Sequence, residues 1–154
     1  MTKIEKLLEE YGSSHQNATN KAIHWICVPL IFFSIVGLFY SVKLPVQLAE
    51  GINLNLAMIV LVVVTLYYGT LSLSLTLGML LFSVVCMAGC YGIEQTGLPL
   101  WAVCIVIFVL AWIGQFYGHN IEGKKPSFLK DVQFLMIGPA WIMSFIYRQV
   151  GIAL

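Results

Sequence analysis

At 154 residues, 60% apolar and only 10% charged, the chain has a mean hydropathy of +0.91. A water-soluble domain of this size cannot hide so much apolar surface, so residues 1–154 are expected to form one domain embedded in a bilayer. A net charge of +1 points to neither a nucleic-acid partner nor a strongly acidic ligand.

The first residues carry mixed charge with no apolar core directly after them, so they are not expected to be a signal peptide. Thr2-Lys3-Ile4-Glu5 has the form of a capping box. Ile4, Leu7, Leu8 and Tyr11 then recur at helical spacing, and Gly12 is the expected C-cap. This predicts a short amphipathic helix, on the membrane surface or against the bundle. From Ala22 to Val42 the chain is apolar apart from His24 and Ser34, long enough to span at about 1.5 Å per residue. Pro29 lies in its first third and frees the Trp25 carbonyl. Lys43 to Asn55 reads as a loop. Leu56 to Ile93 is too long for one span, and its weak point at Gly69–Ser74 predicts a tight turn between two spans. Glu94–Gly97 is a turn, and Pro99 suits the first turn of a fourth span running to about Tyr117. Beyond lie Ser127–Ile137, a break at Gly138-Pro139, and Ala140–Tyr147. Neither half can span alone, so a broken interfacial or partly inserted helix is expected, with a fifth span as the alternative. The fold class is all-α: a polytopic membrane helix bundle of about four transmembrane helices, an N-terminal amphipathic helix and a broken C-terminal helix.

Lys3, Lys6 and Lys21 precede the first span, and Lys124, Lys125 and Lys130 follow the fourth. Only Lys43 stands on the other side, set against Glu50 and Glu94. The positive-inside rule therefore places the N-terminus and the 118–131 segment in the cytoplasm. The membrane would be the inner membrane of a bacterium or the endoplasmic reticulum of a eukaryote. An even number of crossings brings His15, His24 and His119, all the histidines of the chain, to that same face.

His15 and His24 are nine residues apart. On one unbroken helix they would stand about 13.5 Å apart on opposite faces. To share an ion they need a break between them, which Gly12, Ser13, Ser14, Asn17, Thr19 and Asn20 permit. Asn20 can cap the first span and also face the site, four residues before His24. Glu122 stands one helical turn beyond His119. Three imidazoles, or two with a carboxylate, leave positions open for substrate and oxygen, as a non-haem Fe(II) oxygenase requires. Zinc with three histidines and a water would use the same residues. Asn17, Asn20 and Gln115 are candidates for holding an imidazole in orientation from behind.

The alternatives are plain. A histidine at the end of a transmembrane helix is commonly an interfacial or hydrogen-bonded residue, and the polar islands can simply cap and pack helices. A zinc hydrolase of lipid esters or amides is a further rival. Lys124 and Lys125 suit either anionic lipid contact or a substrate carboxylate. Trp25, Trp112, Trp141 and Tyr117 are expected as interface anchors. The four cysteines, Cys27, Cys86, Cys90 and Cys104, lie in apolar runs without a CxxC pair and read as small hydrophobes.

The run Tyr11…His15-Gln16-Asn17…Asn20…His24…Val28-Pro29 resembles the opening motif of the 2-hydroxy fatty acid dioxygenases, a family of small membrane proteins with a fungal member in phytosphingosine degradation. Trp112-Ile113-Gly114-Gln115-Phe116-Tyr117-Gly118-His119, with Glu122, Lys124-Lys125-Pro126, Leu129, Asp131 and Gly138-Pro139, resembles its second motif. The two motifs cover about a third of the chain in the right order. The resemblance implies Fe(II)-dependent α-oxidation, in which a 2-hydroxy long-chain fatty acid and O2 give an acid one carbon shorter. It implies His15, His24 and His119 as metal ligands, Glu122 as ligand or base, and Lys125 or Lys124 for the substrate carboxylate.

Overall fold

Thr2 starts the first helix as its sequence predicts. Its hydroxyl accepts the Glu5 amide at 3.3 Å, while the Glu5 carboxylate accepts the Thr2 amide at 2.6 Å. The computed structural model describes residues 1–123 and 128–154, and of 128–134 the backbone only. The elements in chain order are α1 Lys3–Ser13, α2 Ala18–Tyr40, β1 Lys43–Ala49, β2 Ile52–Asn55, α3 Leu56–Gly69, α4 Leu73–Gln95, α5 Leu100–Glu122 and α6 Phe128–Val150. Helix α1 is amphipathic, and it buries Ile4, Leu8 and Tyr11 against α6. Gly12 lies inside α1 rather than capping it. Its lack of a side chain serves a close approach, since an added Cβ would stand 3.3 Å from Trp141 Nε1.

Helices α2, α4 and α5 are each 23 residues and apolar enough to cross a membrane. Helix α3 is apolar but has only 14 residues, about 21 Å at 1.5 Å per residue against a hydrocarbon core of about 30 Å. The two expected spans in 56–93 are thus unequal, and the turn between them falls where predicted, at 70–72. Val62, Leu66, Leu81, Val85, Leu110 and Ile113 point outward and exposed, an apolar surface that suits lipid and not water.

Helices α2 and α5 run antiparallel in close contact. Gly118 faces Asn20 and His24, Gly114 faces Cys27, and Gly37 faces Cys104, so each backbone approaches where a neighbouring side chain needs room. Such small-residue seams drive helix association where lipid tails cancel the hydrophobic gain. All four cysteines are buried and unbridged.

The segment 43–55 is not a loop but an antiparallel hairpin of irregular register, turning at Glu50-Gly51, where Gly51 takes a φ of 74°. Leu44, Val46 and Leu48 already alternate with period two, and a count of polarity alone misses that signal. At this end Lys43 pairs with Glu94 at 2.9 Å.

Helix α6 corrects the expected break at Gly138-Pro139. It runs unbroken through both residues. Pro139 removes one amide, freeing the Leu135 carbonyl, but the next carbonyl, that of Met136, accepts the buried Tyr68 hydroxyl at 2.5 Å. Gly138 is there for contact: a Cβ would stand 3.1 Å from both Tyr11 Oη and Val28 Cγ1. Farther along, Tyr147 donates to the Ser74 carbonyl at 2.6 Å, tying α6 to the start of α4.

Candidate metal centre

Three local structures bring the histidines together. Helix α1 ends at Ser13 and α2 begins at Ala18, so the chain breaks between His15 and His24. Asn17, and not Asn20, is the N-cap of α2: its Oδ1 accepts the Thr19 amide at 2.9 Å and the Asn20 amide at 3.3 Å. Antiparallel pairing of α2 and α5 then lays His119 beside His24. The ring centroids lie 4.2 Å apart for His15 and His24, 5.0 Å for His24 and His119, and 5.5 Å for His15 and His119. One nitrogen from each ring falls within 4.8 Å of the other two. His15 is 2% and His24 1% exposed, so whatever meets these nitrogens meets them out of water.

Backbone carbonyls set the orientation of two rings. His15 Nδ1 lies 2.6 Å from the Tyr11 carbonyl, and His24 Nδ1 lies 2.9 Å from the Asn20 carbonyl. A carbonyl only accepts, so each Nδ1 carries the proton and each Nε2 carries the lone pair. Metal-binding histidines are commonly oriented in this way. The Tyr11 ring stacks on His15 at 4.3 Å and 14°, fixing the plane of that imidazole.

Glu122 does not join the three rings. Its Oε1 accepts the Gln16 amide at 2.9 Å, and its Oε2 accepts the Asn17 amide at 2.9 Å and Asn20 Nδ2 at 3.0 Å. The carboxylate therefore clamps the end of α5 to the turn that carries His15 and to the first turn of α2. A negative charge is favoured there by the helix dipole. Asn17 caps, and Asn20 serves twice, with its carbonyl on His24 and its amide on Glu122. Lys124 and Lys125 lie outside the described residues.

The rings open on a cavity of about 40 Å³ lined also by Tyr11, Trp112 and Gln115 on the polar side and Val28, Ile31, Phe32 and Leu135 on the apolar side. Trp112 Nε1 and Gln115 Oε1 are buried without a hydrogen-bond partner among the described residues, polar atoms that a ligand in this cavity can meet. Trp112, expected as an interface anchor, instead lines this cavity. Its spacing of three from Gln115 and seven from His119 puts all three on one face of α5, a signal that was available. Trp141 likewise turns inward, 4% exposed, with its ring 5.3 Å from Tyr11 and 5.5 Å from His15. Trp25 and Tyr117 are exposed, as anchors should be.

This is a helix bundle with three membrane-length helices among the described residues and a tri-histidine cluster at one end, two of its rings buried. The chain belongs to the family described as 2-hydroxy-palmitic acid dioxygenase Mpo1-like, which matches residues 1–150. It is similar to the 2-hydroxy-palmitic acid dioxygenase MPO1 of Saccharomyces cerevisiae, with 28% identity over 143 residues, 90% of this chain and 76% of the yeast protein. No solved structure matches it.

Proposed function

We propose that His15, His24 and His119 hold an Fe(II) ion and that the protein catalyses the O2-dependent α-oxidation of 2-hydroxy long-chain fatty acids. The observation carrying this reading is the convergence of three imidazoles, two with Nδ1 committed to a backbone carbonyl, on one small buried cavity. The donor set fits the group: neutral imidazoles suit iron, and three of them leave positions open. One nitrogen of each ring lies within 4.8 Å of the other two, so the three can face one ion.

The reaction balances without a second reductant. A 2-hydroxy acid and O2 give the acid one carbon shorter, CO2 and water: the C1–C2 bond breaks, C2 becomes a carboxyl carbon, and O2 takes up all four electrons. Bound iron would supply open sites for the α-hydroxycarboxylate and for O2. The chain's own residues bind and orient. The indole Nε1–H of Trp112 donates to a substrate oxygen, and Gln115 offers a second polar contact. Tyr11 and Asn20 hold His15 and His24 through their carbonyls, and Glu122 clamps the segments that carry them. Lys124 and Lys125 are proposed to receive the carboxylate on its way in. The apolar wall of Val28, Ile31 and Phe32 excludes water from the acyl side.

We propose an integral membrane protein with its site opening to the cytoplasm, a reading supported by the lysines that flank the spans in the sequence. The test is anaerobic purification, metal analysis and O2 uptake with 2-hydroxypalmitate. Bound iron, with pentadecanoic acid as product and both lost in His119→Ala, supports the reading. Lipid hydrolysis by a zinc form without O2 refutes it.

A further inference from the structure

The cavity at the histidines shares part of its wall with a second space. Phe32 and Leu135 line both, and the second is an apolar cavity of about 150 Å³, walled also by Val36 and Phe39 of α2 and by Val60 and Val64 of α3. Leu61 lines that chamber and, in turn, an outer apolar groove between α3 and α4 of about 400 Å³. The groove's exposed residues, among them Val62, Leu66 and Val84, belong to the lipid-facing surface. Three spaces thus stand in series, polar only at the histidine end.

We infer that this series is the route of the substrate's acyl chain, running from the histidines past a neck at Phe32 and Leu135 into the α2–α3 chamber and out beside Leu61 to the bilayer. The inference rests on the tri-histidine cavity being the head-group site. His24 and Phe39 stand fifteen residues apart on α2, about 22 Å along the axis, a length suited to a long acyl chain and not to a short one. A dry cavity of about 150 Å³ accepts a molecule the size of benzene, some six carbons. A long chain therefore fills the chamber and must leave it, and Leu61 marks where. Val60 and Val64 then determine chain length: they are half-buried, and a larger side chain at either narrows the chamber without touching the histidines.

The test uses full-length protein in bilayer nanodiscs with 2-hydroxyhexadecanoic acid carrying a diazirine at mid-chain. Crosslinks to Phe39, Val60 or Val64 that unlabelled 2-hydroxypalmitate removes support the route. Crosslinks only to outward residues such as Val62 and Leu66, insensitive to competitor, overturn it. In turnover, Val60→Phe and Val64→Phe should lower the ratio of C16 to C6 2-hydroxy-acid oxidation at least tenfold, and Phe39→Ala should shift it the other way. A ratio unchanged in all three variants overturns the assignment. Competed crosslinks in the chamber with no oxidation of any 2-hydroxy acid would leave the acyl route standing and refute the dioxygenase reading instead.

Discussion

Asn20 and Glu122, 102 residues apart in sequence, meet through a hydrogen bond of 3.0 Å from Asn20 Nδ2 to Glu122 Oε2. The same Asn20 holds His24 through its carbonyl, so one residue couples the carboxylate at the end of α5 to an imidazole on α2. Gly118 makes the approach possible, because any Cβ there would run into Asn20 Oδ1 and stand 3.5 Å from His24 Cε1.

Gly118→Ala should therefore damage the site without touching a ligand. Overpacking of this kind costs about 1–3 kcal/mol, and iron retention should fall with it. Gly92→Ala is the control, since its Cβ position meets nothing among the described residues within 4 Å beyond its own stretch of helix. Thermal unfolding and iron content of the two variants, side by side, decide the matter. Equal behaviour would mean that the close approach is immaterial.

Glu122→Ala separates a clamp from a ligand. As a clamp, Glu122 acts on the metal only through His15 and Asn20. Loss of such an outer partner weakens metal affinity about 10–100-fold, and saturating Fe(II) should restore one ion per chain. Equilibrium dialysis against graded Fe(II) reads this directly. Failure to reach full occupancy at any concentration would make the carboxylate a ligand after all.

Iron should stabilise the folded protein by mass action, by about 2.7 kcal/mol at a hundred times the dissociation constant. The midpoint of thermal unfolding in detergent should rise with free Fe(II) and fall back on chelation. Alanine at His15, His24 or His119 should abolish the rise. Retention of the full shift in any one of these variants would remove that histidine from the ligand set.

Trp112→Phe deletes one N–H and leaves the ring in place between Phe108 and Phe116. If Nε1 donates to the substrate, the change should raise KM for 2-hydroxypalmitate about tenfold, the worth of one hydrogen bond to a charged group. Iron content and thermal stability should stay as in the parent protein. An unchanged KM would return Trp112 to a packing role.

Much of this was legible in the chain. The capping box at Thr2 and the tight turn at 70–72 follow from local sequence, the residues between His15 and His24 permit the break found there, and the lysine distribution with an even count of crossings points the three histidines to one end. Other features were not. Gly138-Pro139 reads as a helix break by local rules, yet α6 runs through both, with Gly138 seated against Tyr11 and Val28 and the Tyr68 hydroxyl on the Met136 carbonyl. Glu122 reads equally well as ligand, base or solvated charge until the Gln16, Asn17 and Asn20 donors are seen around it.

The division has a physical cause. Helix periodicity, caps and hydropathy are properties of neighbours in sequence, so the sequence by itself determined most of the helices and the membrane as solvent, and it pointed to one end of the bundle for His15, His24 and His119. Hydrogen-bond partners and cavities are made by residues far apart in the chain, and many partners are compatible with one local pattern. Only the tertiary structure decided that Trp112 and Trp141 turn inward, that Glu122 closes on Asn20, and that Phe32 and Leu135 stand between the histidine cavity and an apolar chamber.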